Sequence, residues 1–325
     1  MKFQASTVPF FRFRRQIGGV FFVFNLLWLV TGCQTAQQVS HVVSSNPPVS
    51  AIGGENPVEE AKPEPPQNPV TIGQSPQNSG KPGLPTITAK AALLVDHRGR
   101  ILYEKNSEMR LPTASTQKLL LGILICDSGN LDETVTVMAS DTNCEPTKMG
   151  IQPGQTYRKG DLLKAVLVRS SNDLARCLAR HHSGSVSAFA HAMNVRARQL
   201  GMHNSYFTNA SGLPTPAGQY STAKDLAILA NAAMRRPAIR EAVGTKAMVF
   251  RFSNGTTKTV YNTNQVLKGN PYCIGCKTGY THAAGRCLVS SASDGRRTVI
   301  AVVLGSKSPN VWSESDALLR YGLGH

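Results

Sequence analysis

Three short polar segments carry side chains that together are suited to serine acyl transfer. They are Ser115-Thr116-Gln117-Lys118, Ser170-Ser171-Asn172 and Lys277-Thr278-Gly279. A serine hydroxyl is a weak nucleophile until a neighbouring base takes its proton, and reaction at a carbonyl also needs donors for the developing negative charge. The segments can supply a nucleophile, a base, a proton relay and a cradle for an anion. The sequence therefore predicts one acyl-transfer site built from distant parts of the chain.

The first segment begins a predicted helix at residues 115–126, just after Pro112. Ser115 and Lys118 are three residues apart, so their side chains can share one helix face, and a free amide of the first turn could point at an oxyanion. The apolar residues 119–125 predict that this helix is buried. Burial and a second lysine nearby would lower the pKa of Lys118, which makes it the predicted general base for the nucleophile Ser115.

The second segment interrupts two helical patterns and is predicted to lie in a connecting loop, where functional groups concentrate. There Ser170 could relay a proton, and Asn172 could hold Lys118 or an amide of a substrate. The competing interpretation is a pair of helix caps, because serine and asparagine favour the first position of helices. Taken alone, the segment favours caps.

The third segment lies on a predicted strand, and Gly279 within it indicates close approach of another backbone. A substrate that pairs alongside the strand would need that room. Thr278 and Lys277 can bind a terminal carboxylate, and the amide of Tyr280 could complete an oxyanion hole. In isolation, the tripeptide is only a strand end.

Alternating apolar residues and turn signals predict two groups of strands. The first is a hairpin at residues 91–95 and 101–103, and after residue 245 follow a hairpin at 249–252 and 257–261 and a meander at 274–280, 286–291 and 298–305. Helical patterns lie between them at 115–126, 161–168, 173–181, 186–200 and 222–235, and a last helix is predicted at 313–321. The predicted fold is α/β, a mostly antiparallel sheet flanked by helices with an inserted helical subdomain, and the active site is expected at their junction.

Residues 1–32 have the pattern of a secretory signal, in which basic residues precede an apolar run at 20–30. Val30-Thr31-Gly32-Cys33 resembles the bacterial lipobox, which implies cleavage, diacylation of Cys33 and attachment to a membrane through it. Gln34 in the next position implies sorting to the outer membrane, so an exported, periplasmic lipoprotein is expected. An uncleaved membrane anchor is the alternative, but the apolar run is short against the ~20 residues of a spanning helix.

Residues 33–86 begin at the lipidated cysteine and are rich in Pro, Asn, Ser, Gln and Gly. Such a segment cannot bury enough apolar surface to fold, and a disordered tether is predicted. Residues 87–325 are predicted to form one catalytic domain.

Six cysteines follow the predicted tether, namely Cys126, Cys144, Cys177, Cys273, Cys276 and Cys287. An exported compartment permits disulfides, and Cys276 and Cys287 are predicted on adjacent antiparallel strands, so a structural bridge and buried thiols both stay open. The spacing of Cys273 and Cys276 is that of a redox or zinc motif, but no second pair of ligands stands at zinc spacing and no βαβ pattern precedes it. Neither a metal site nor a cofactor is expected.

The formal net charge of +16 predicts attraction to anionic polymers, among them cell-wall material with free carboxylates. Nucleic acid is the alternative partner of a basic chain. Export and the lack of a recognisable binding motif argue against it, so no nucleic-acid partner is expected.

The order of the three motifs resembles that of the penicillin-binding proteins and serine β-lactamases, and the resemblance is strongest to the low-molecular-weight D-alanyl-D-alanine carboxypeptidases. It covers roughly residues 88–323 and extends beyond the motifs. The further similar segments are Ala92-Leu93-Leu94-Val95-Asp96, Gly212-Leu213, Tyr220-Ser221-Thr222-Ala223-Lys224-Asp225, Tyr280-Thr281 through Gly285, and Ala301-Val302-Val303-Leu304-Gly305.

The resemblance implies a penicillin-binding hydrolase that trims peptidoglycan stem peptides during cell-wall biogenesis. The implied roles are Ser115 as the nucleophile toward the penultimate D-alanine, Lys118 as the base, Ser170 with Asn172 in proton transfer, and Lys277 with Thr278 at the terminal carboxylate. β-Lactams would acylate Ser115 as covalent inhibitors.

Three other functions stay open at this stage. A D,D-endopeptidase that cleaves peptidoglycan cross-links would use the same catalytic set. Many relatives have an arginine after the last core strand that grips the carboxylate, whereas Lys307-Ser308-Pro309-Asn310-Val311-Trp312 supplies only a lysine there, so a strict carboxypeptidase preference does not follow. A class A β-lactamase would need a Glu-x-x-Leu-Asn segment, which the sequence lacks. A lipoprotein that only binds cell wall is the alternative without catalysis.

Overall fold

The computed structural model describes residues 71–73 and 83–325, which belong to one unit, Pro63–His325. The predicted signal peptide, Cys33 and most of the predicted tether lie outside the described residues. Within the described part, no helix is both long and apolar enough to cross a membrane.

Nine strands occur in the described part of the chain. They are β1 (Ala91–Asp96), β2 (Ile101–Lys105), β3 (Thr134–Thr136), β4 (Thr156–Arg158), β5 (Ala247–Arg251), β6 (Thr257–Tyr261), β7 (Cys273–Thr281), β8 (Gly285–Ser293) and β9 (Thr298–Ser306). A 3₁₀ turn, Ala114–Gln117, precedes the helices α1 (Lys118–Asp127), α2 (Ala139–Thr142), α3 (Lys159–Arg169), α4 (Asn172–Ser183), α5 (Val186–Gln199), α6 (Ala223–Met234), α7 (Pro237–Gly244), α8 (Val266–Gly269) and α9 (Asn310–Leu323).

The central sheet has five strands in the order β2-β1-β9-β8-β7, and each neighbouring pair is antiparallel. Its inner strand β9 is buried along most of its length because both faces of the sheet are covered. Leu288 and Val303 pack with Leu319 of α9 on one face, whereas Val289 and Val302 join the core formed with the other helices on the opposite face. Strand β7 is left as one edge of this sheet, beside the helical part.

Helix α1 runs through the middle of the helical part. Its apolar residues surround the whole helix rather than forming one stripe, as is typical of a buried helix, and Leu119, Leu120 and Ile123 have no exposed surface. Each such side chain stabilises the fold by about 2 kcal/mol. Gly122 lets α7 approach, because an added Cβ there would lie 3.3 Å from Ile239 Cδ1. The helix that follows the candidate nucleophile is therefore firmly held.

The predicted α/β class, the two hairpins, the meander and the six helices are confirmed, with boundaries that differ by a few residues. The prediction that no strand occurs between residues 103 and 245 is wrong, because β3 pairs with β4. Strands of three residues are too short to reveal a period of two. Helices α2, α7 and α8 were also not predicted, although Pro237 at the start of α7 is a typical first helical residue.

The six cysteines of the described part are free thiols, so the structure favours buried thiols over a bridge. Cys276 and Cys287 do lie on adjacent antiparallel strands, but Cys276 is opposite Ser290 and Cys287 is opposite Gly279. No group of three or more potential metal ligands occurs among the described residues.

Candidate active site

Ser115 lies in the 3₁₀ turn, where the helical part meets the edge of the sheet. The sequence predicted a helix from this residue, whereas the α-helix itself begins at Lys118. Strand β7 presses against the turn at Gly279, where an added Cβ would lie 2.7 Å from Thr113 O and 3.0 Å from Ser115 N. Only glycine permits this approach, so the prediction of a close backbone contact at Gly279 is confirmed.

A second glycine shapes the turn from the other side. Ala114 has a φ of +48°, which is rare for a residue with a side chain. Gly212 has a φ of +87°, and a Cβ there would lie only 2.1 Å from Ala114 O. The carbonyl oxygen of the residue before Gly212, Ser211 O, accepts a hydrogen bond of 3.1 Å from Ser115 Oγ. Sequence reasoning did not identify Ser211, although Gly212 was among the segments of the family resemblance.

Lys118 joins the first two predicted segments through its amine. Lys118 Nζ lies 2.9 Å from Ser115 Oγ, 2.6 Å from Asn172 Oδ1 and 3.1 Å from Ser170 O. The hydroxyl of Ser170 is 3.5 Å from the same nitrogen, within reach for a proton relay. As a neutral amine, Lys118 has one lone pair, and the nearest hydroxyl for it is that of Ser115.

The surroundings of Lys118 favour that neutral form. Its side chain has no exposed surface, and this burial lowers its pKa well below the usual value, since water no longer solvates the charge. The positive charge of Lys277 lowers the pKa further, whereas Cys144 and Asp173 act in the opposite direction. The arrangement therefore holds an amine ready to accept a proton beside a serine hydroxyl.

Ser170 and Asn172 stand at the junction of α3 and α4. Ser170 ends α3 in the left-handed conformation, with a φ of +68°, and Ser171 precedes α4 without a side-chain capping bond. The structure thus does not support the interpretation of this segment as a pair of caps. Asn172 instead donates to Pro146 O and accepts from Lys118.

Lys277 and Thr278 point to opposite faces of β7, as neighbours on a strand do. Lys277 is only 1% exposed, donates to Thr278 O at 3.0 Å, and has a pKa lowered by burial to about 7. Thr278 is half-buried, and its hydroxyl lies 2.6 Å from that of Thr263. Tyr280, next to Gly279, is 52% exposed. Of the residues predicted to bind an anion, Tyr280 is exposed and Thr278 is half-buried, while Lys277 is enclosed near Lys118.

Two supporting residues carried no signal that sequence reasoning could have used. Asp173 is buried and accepts hydrogen bonds from the amides of Met149 and Gly150, which ties the loop before β4 to α4. Thr263, from the segment between β6 and α8, fixes the hydroxyl of Thr278. Both contacts join segments that only the folded chain brings together.

The chain matches proteins of known fold and activity. The family model of the D-alanyl-D-alanine carboxypeptidases matches residues 76–308. D-alanyl-D-alanine carboxypeptidase DacF of Bacillus subtilis is 35% identical over 227 residues, which are 68% of this chain and 58% of that protein. The D-alanyl-D-alanine endopeptidase of Escherichia coli is 33% identical over 228 residues, which are 68% of this chain and 72% of that protein.

Among solved structures, the DD-transpeptidase of Streptomyces K15 has a TM-score of 0.70 and 30% sequence identity, and the match covers 74% of this chain and 99% of the transpeptidase. The chain thus spans nearly the whole of this solved structure but a little over half the length of the carboxypeptidase from Bacillus subtilis.

Proposed function

Because the chain belongs to the D-alanyl-D-alanine carboxypeptidase family of serine peptidases, we propose that it removes the terminal D-alanine from peptidoglycan stem peptides through an acyl-enzyme on Ser115. One observation carries the proposal. The amine of Lys118 is wholly buried and lies 2.9 Å from the hydroxyl of Ser115. A desolvated amine at this distance is a competent general base for a serine.

Acylation begins when Ser115 Oγ attacks the carbonyl carbon of the penultimate D-alanine and its proton passes to Lys118. The amide groups of Ser115 and Tyr280 donate to the oxyanion, a type of contact that is worth about 3 kcal/mol per donor in the transition state. The C–N bond then breaks, and the leaving amine of D-alanine takes a proton from Lys118 with Ser170 as relay. Asn172 keeps the amine aligned, and Thr278 with Lys277 holds the terminal carboxylate.

Hydrolysis of the ester completes the cycle. A water molecule gives a proton to Lys118 and attacks the acyl carbon, and the Ser115 oxygen leaves and recovers its proton. The shortened peptide departs with a new carboxylate. A β-lactam follows the same first step, but its leaving nitrogen stays tethered to the acyl group, so the adduct persists.

The reaction is tested by incubating the full-length protein with purified monomeric muropeptides that end in D-alanyl-D-alanine. We expect free D-alanine and a peptide shorter by one residue, both detected by chromatography with mass spectrometry. Intact muropeptides after prolonged incubation would contradict the proposal. Heat-inactivated protein serves as the control for spontaneous hydrolysis.

A D,D-endopeptidase is the second candidate, and one finding favours it. The similar protein from Escherichia coli is an endopeptidase, and both reactions attack a D-alanyl carbonyl with the same catalytic groups. Cross-linked dimers in the same incubation separate the two activities, because only cross-link cleavage converts dimers into monomers without releasing D-alanine.

The charge of Lys277 gives a prediction for the pH dependence of acylation. In a Lys277→Met variant, we expect the acidic limb of the pH profile to move to higher pH. The charge of Lys277 is one cause of the low pKa of Lys118, so removing it raises the pKa of Lys118. Lys118 then stays protonated up to a higher pH, and in that form it cannot act as a base. The measurement is the rate of acylation by a penicillin as a function of pH.

A matched control for this pH experiment is Lys258→Met, which removes an exposed lysine from β6. Its acidic limb should coincide with that of the unchanged protein. If the acidic limb of the pH profile of the Lys277→Met variant stays in place or moves to lower pH, the electrostatic coupling between the two buried amines is disproved.

For the location of the protein, we propose a periplasmic lipoprotein anchored in the outer membrane through diacylated Cys33, after removal of residues 1–32 as a signal peptide. The lipobox-like sequence before Cys33 supports this proposal. Incorporation of labelled palmitate by the full chain, but not by a Cys33→Ala variant, is the expected result. Equal labelling of both chains would contradict it.

A further inference from the structure

We propose that Arg286, on the strand next to β7, is the residue that recognises the terminal carboxylate of the substrate by charge. The inference rests on the proposed function and adds a specificity-determining residue to it. Lys277 is enclosed, bonds to Thr278 O, and has a pKa lowered to about 7, so it carries only part of its charge at neutral pH. A hydroxyl such as that of Thr278 carries no charge at all.

The register of the sheet places Arg286 beside Thr278 and Tyr280. Arg286 on β8 is directly opposite Tyr280 on β7, and Leu288 is opposite Thr278. Opposite residues of an antiparallel pair share one face of the sheet, and a diagonal neighbour two residues away lies within reach of a long side chain. Arg286 therefore shares a face with Thr278 and Tyr280, the face on which Leu288 packs against α9, whereas Gly279 between these two points to the opposite face and touches the turn that bears Ser115.

The guanidinium of Arg286 is held in place but has no anionic partner in the part of the chain that the structure describes. Its Cζ lies 4.6 Å from the centroid of the Tyr280 ring, in a cation–π contact. Its Nε is enclosed without a hydrogen-bond partner, and none of the hydrogen bonds or ion pairs among residues 83–325 involves this side chain. A partly buried guanidinium without an acceptor is unusual, because its desolvation is not compensated.

Arginine suits this task better than the alternatives nearby. Its guanidinium remains charged over the whole physiological pH range and can bind both oxygens of a carboxylate with two parallel N–H donors. Lys307 is the first cation after the last strand of the sheet. It follows β9, and β8 lies between β9 and β7. The contact with the ring of Tyr280 holds Arg286 on the face that also bears Thr278.

The test compares acylation by benzylpenicillin, which bears a free carboxylate, with acylation by its methyl ester, which does not. In an Arg286→Gln variant, we expect the rate with benzylpenicillin to fall about 10- to 100-fold, as for loss of a charged hydrogen bond, and the rate with the ester to change less than about threefold. Arg286→Lys keeps the charge and should recover part of the loss. The matched control Lys307→Gln should leave both rates unchanged.

Each other outcome would overturn the proposal. An equal loss of rate with both reagents would assign Arg286 a structural role, and unchanged rates would leave it without a role in binding. A carboxylate-selective loss in Lys307→Gln instead would place the charge contact after β9. If the unchanged protein reacted with neither reagent, the proposed acyl-enzyme itself would fall, which is a distinct result.

Discussion

Replacing Ser115 with alanine is expected to abolish covalent labelling by a fluorescent penicillin and to lower the release of D-alanine by about 10⁴-fold or more. The reason is that, among the described residues 71–73 and 83–325, the hydroxyl of Ser115 alone lies between Lys118 Nζ and Ser211 O. The hydroxyl of Ser170 lies 3.5 Å from the amine, but it belongs to the end of α3 rather than to the turn against β7. Labelling on a denaturing gel and a D-alanine assay provide the measurements.

The matched control for this experiment is Ser313→Ala, which removes an exposed serine from α9. Labelling and D-alanine release should both be unchanged in it. Persistent labelling of Ser115→Ala at the rate of the unchanged protein would remove Ser115 from the mechanism, even if the protein remained a peptidase.

Replacing Lys118 with methionine is expected to slow acylation by about 10³- to 10⁴-fold. Methionine has a similar length and suits a buried position, but it cannot accept the proton of Ser115. The effect should be smaller than that of losing Ser115, because the nucleophile and the oxyanion donors remain. The measurement is the second-order rate of acylation by benzylpenicillin, followed by intact-protein mass spectrometry.

Lys159→Met is a suitable control, because Lys159 is also buried, at 3% exposed, and pairs with Glu133 at 2.7 Å. This ion pair is remote from the proposed chemistry, so its loss should lower the unfolding temperature and leave acylation within about twofold. If the two lysine variants lost acylation equally, or if Lys118→Met reacted normally, a general-base role for Lys118 would be contradicted.

Some parts of the site could be predicted from the sequence because they depend on local spacing. Ser115 and Lys118 are three residues apart, and this distance alone lets the amine reach the hydroxyl once the turn and helix form. The burial of α1 followed from its continuous apolar residues, and with it the lowered pKa of Lys118. A glycine inside a strand pattern likewise pointed to the close approach at Gly279.

Other parts depend on tertiary contacts that local patterns do not contain. Ser211 accepts from Ser115 only because Gly212 permits its chain to pass beside Ala114. The enclosure of Lys277 and the position of Arg286 follow from the faces and register of β7 and β8. As long as the pairing of these strands is unknown, the sequence can suggest Lys277 as a contact for the substrate, but it offers no reason to choose Arg286.

The difference between local patterns and tertiary contacts also explains which structural predictions from the sequence were wrong. The pairing of β3 with β4 joins segments of only three residues across a long separation, so its stability comes from the core beneath Val135 and Tyr157 rather than from a strand pattern. The sequence of Ser170 to Asn172 resembles helix caps, but the structure uses its polar groups around Lys118 instead. Hydrogen bonding to the buried amine of Lys118, rather than the local preference for helix caps, determines what these residues do.

The most direct test of the account is to locate the covalent adduct that benzylpenicillin forms with the unchanged protein. Proteolysis of the acylated protein followed by tandem mass spectrometry should place the penicilloyl group on Ser115 and on no other residue. An adduct on Ser170, on a cysteine such as Cys144, or no adduct at all would contradict the claim that Ser115 and Lys118 form a nucleophile and its base.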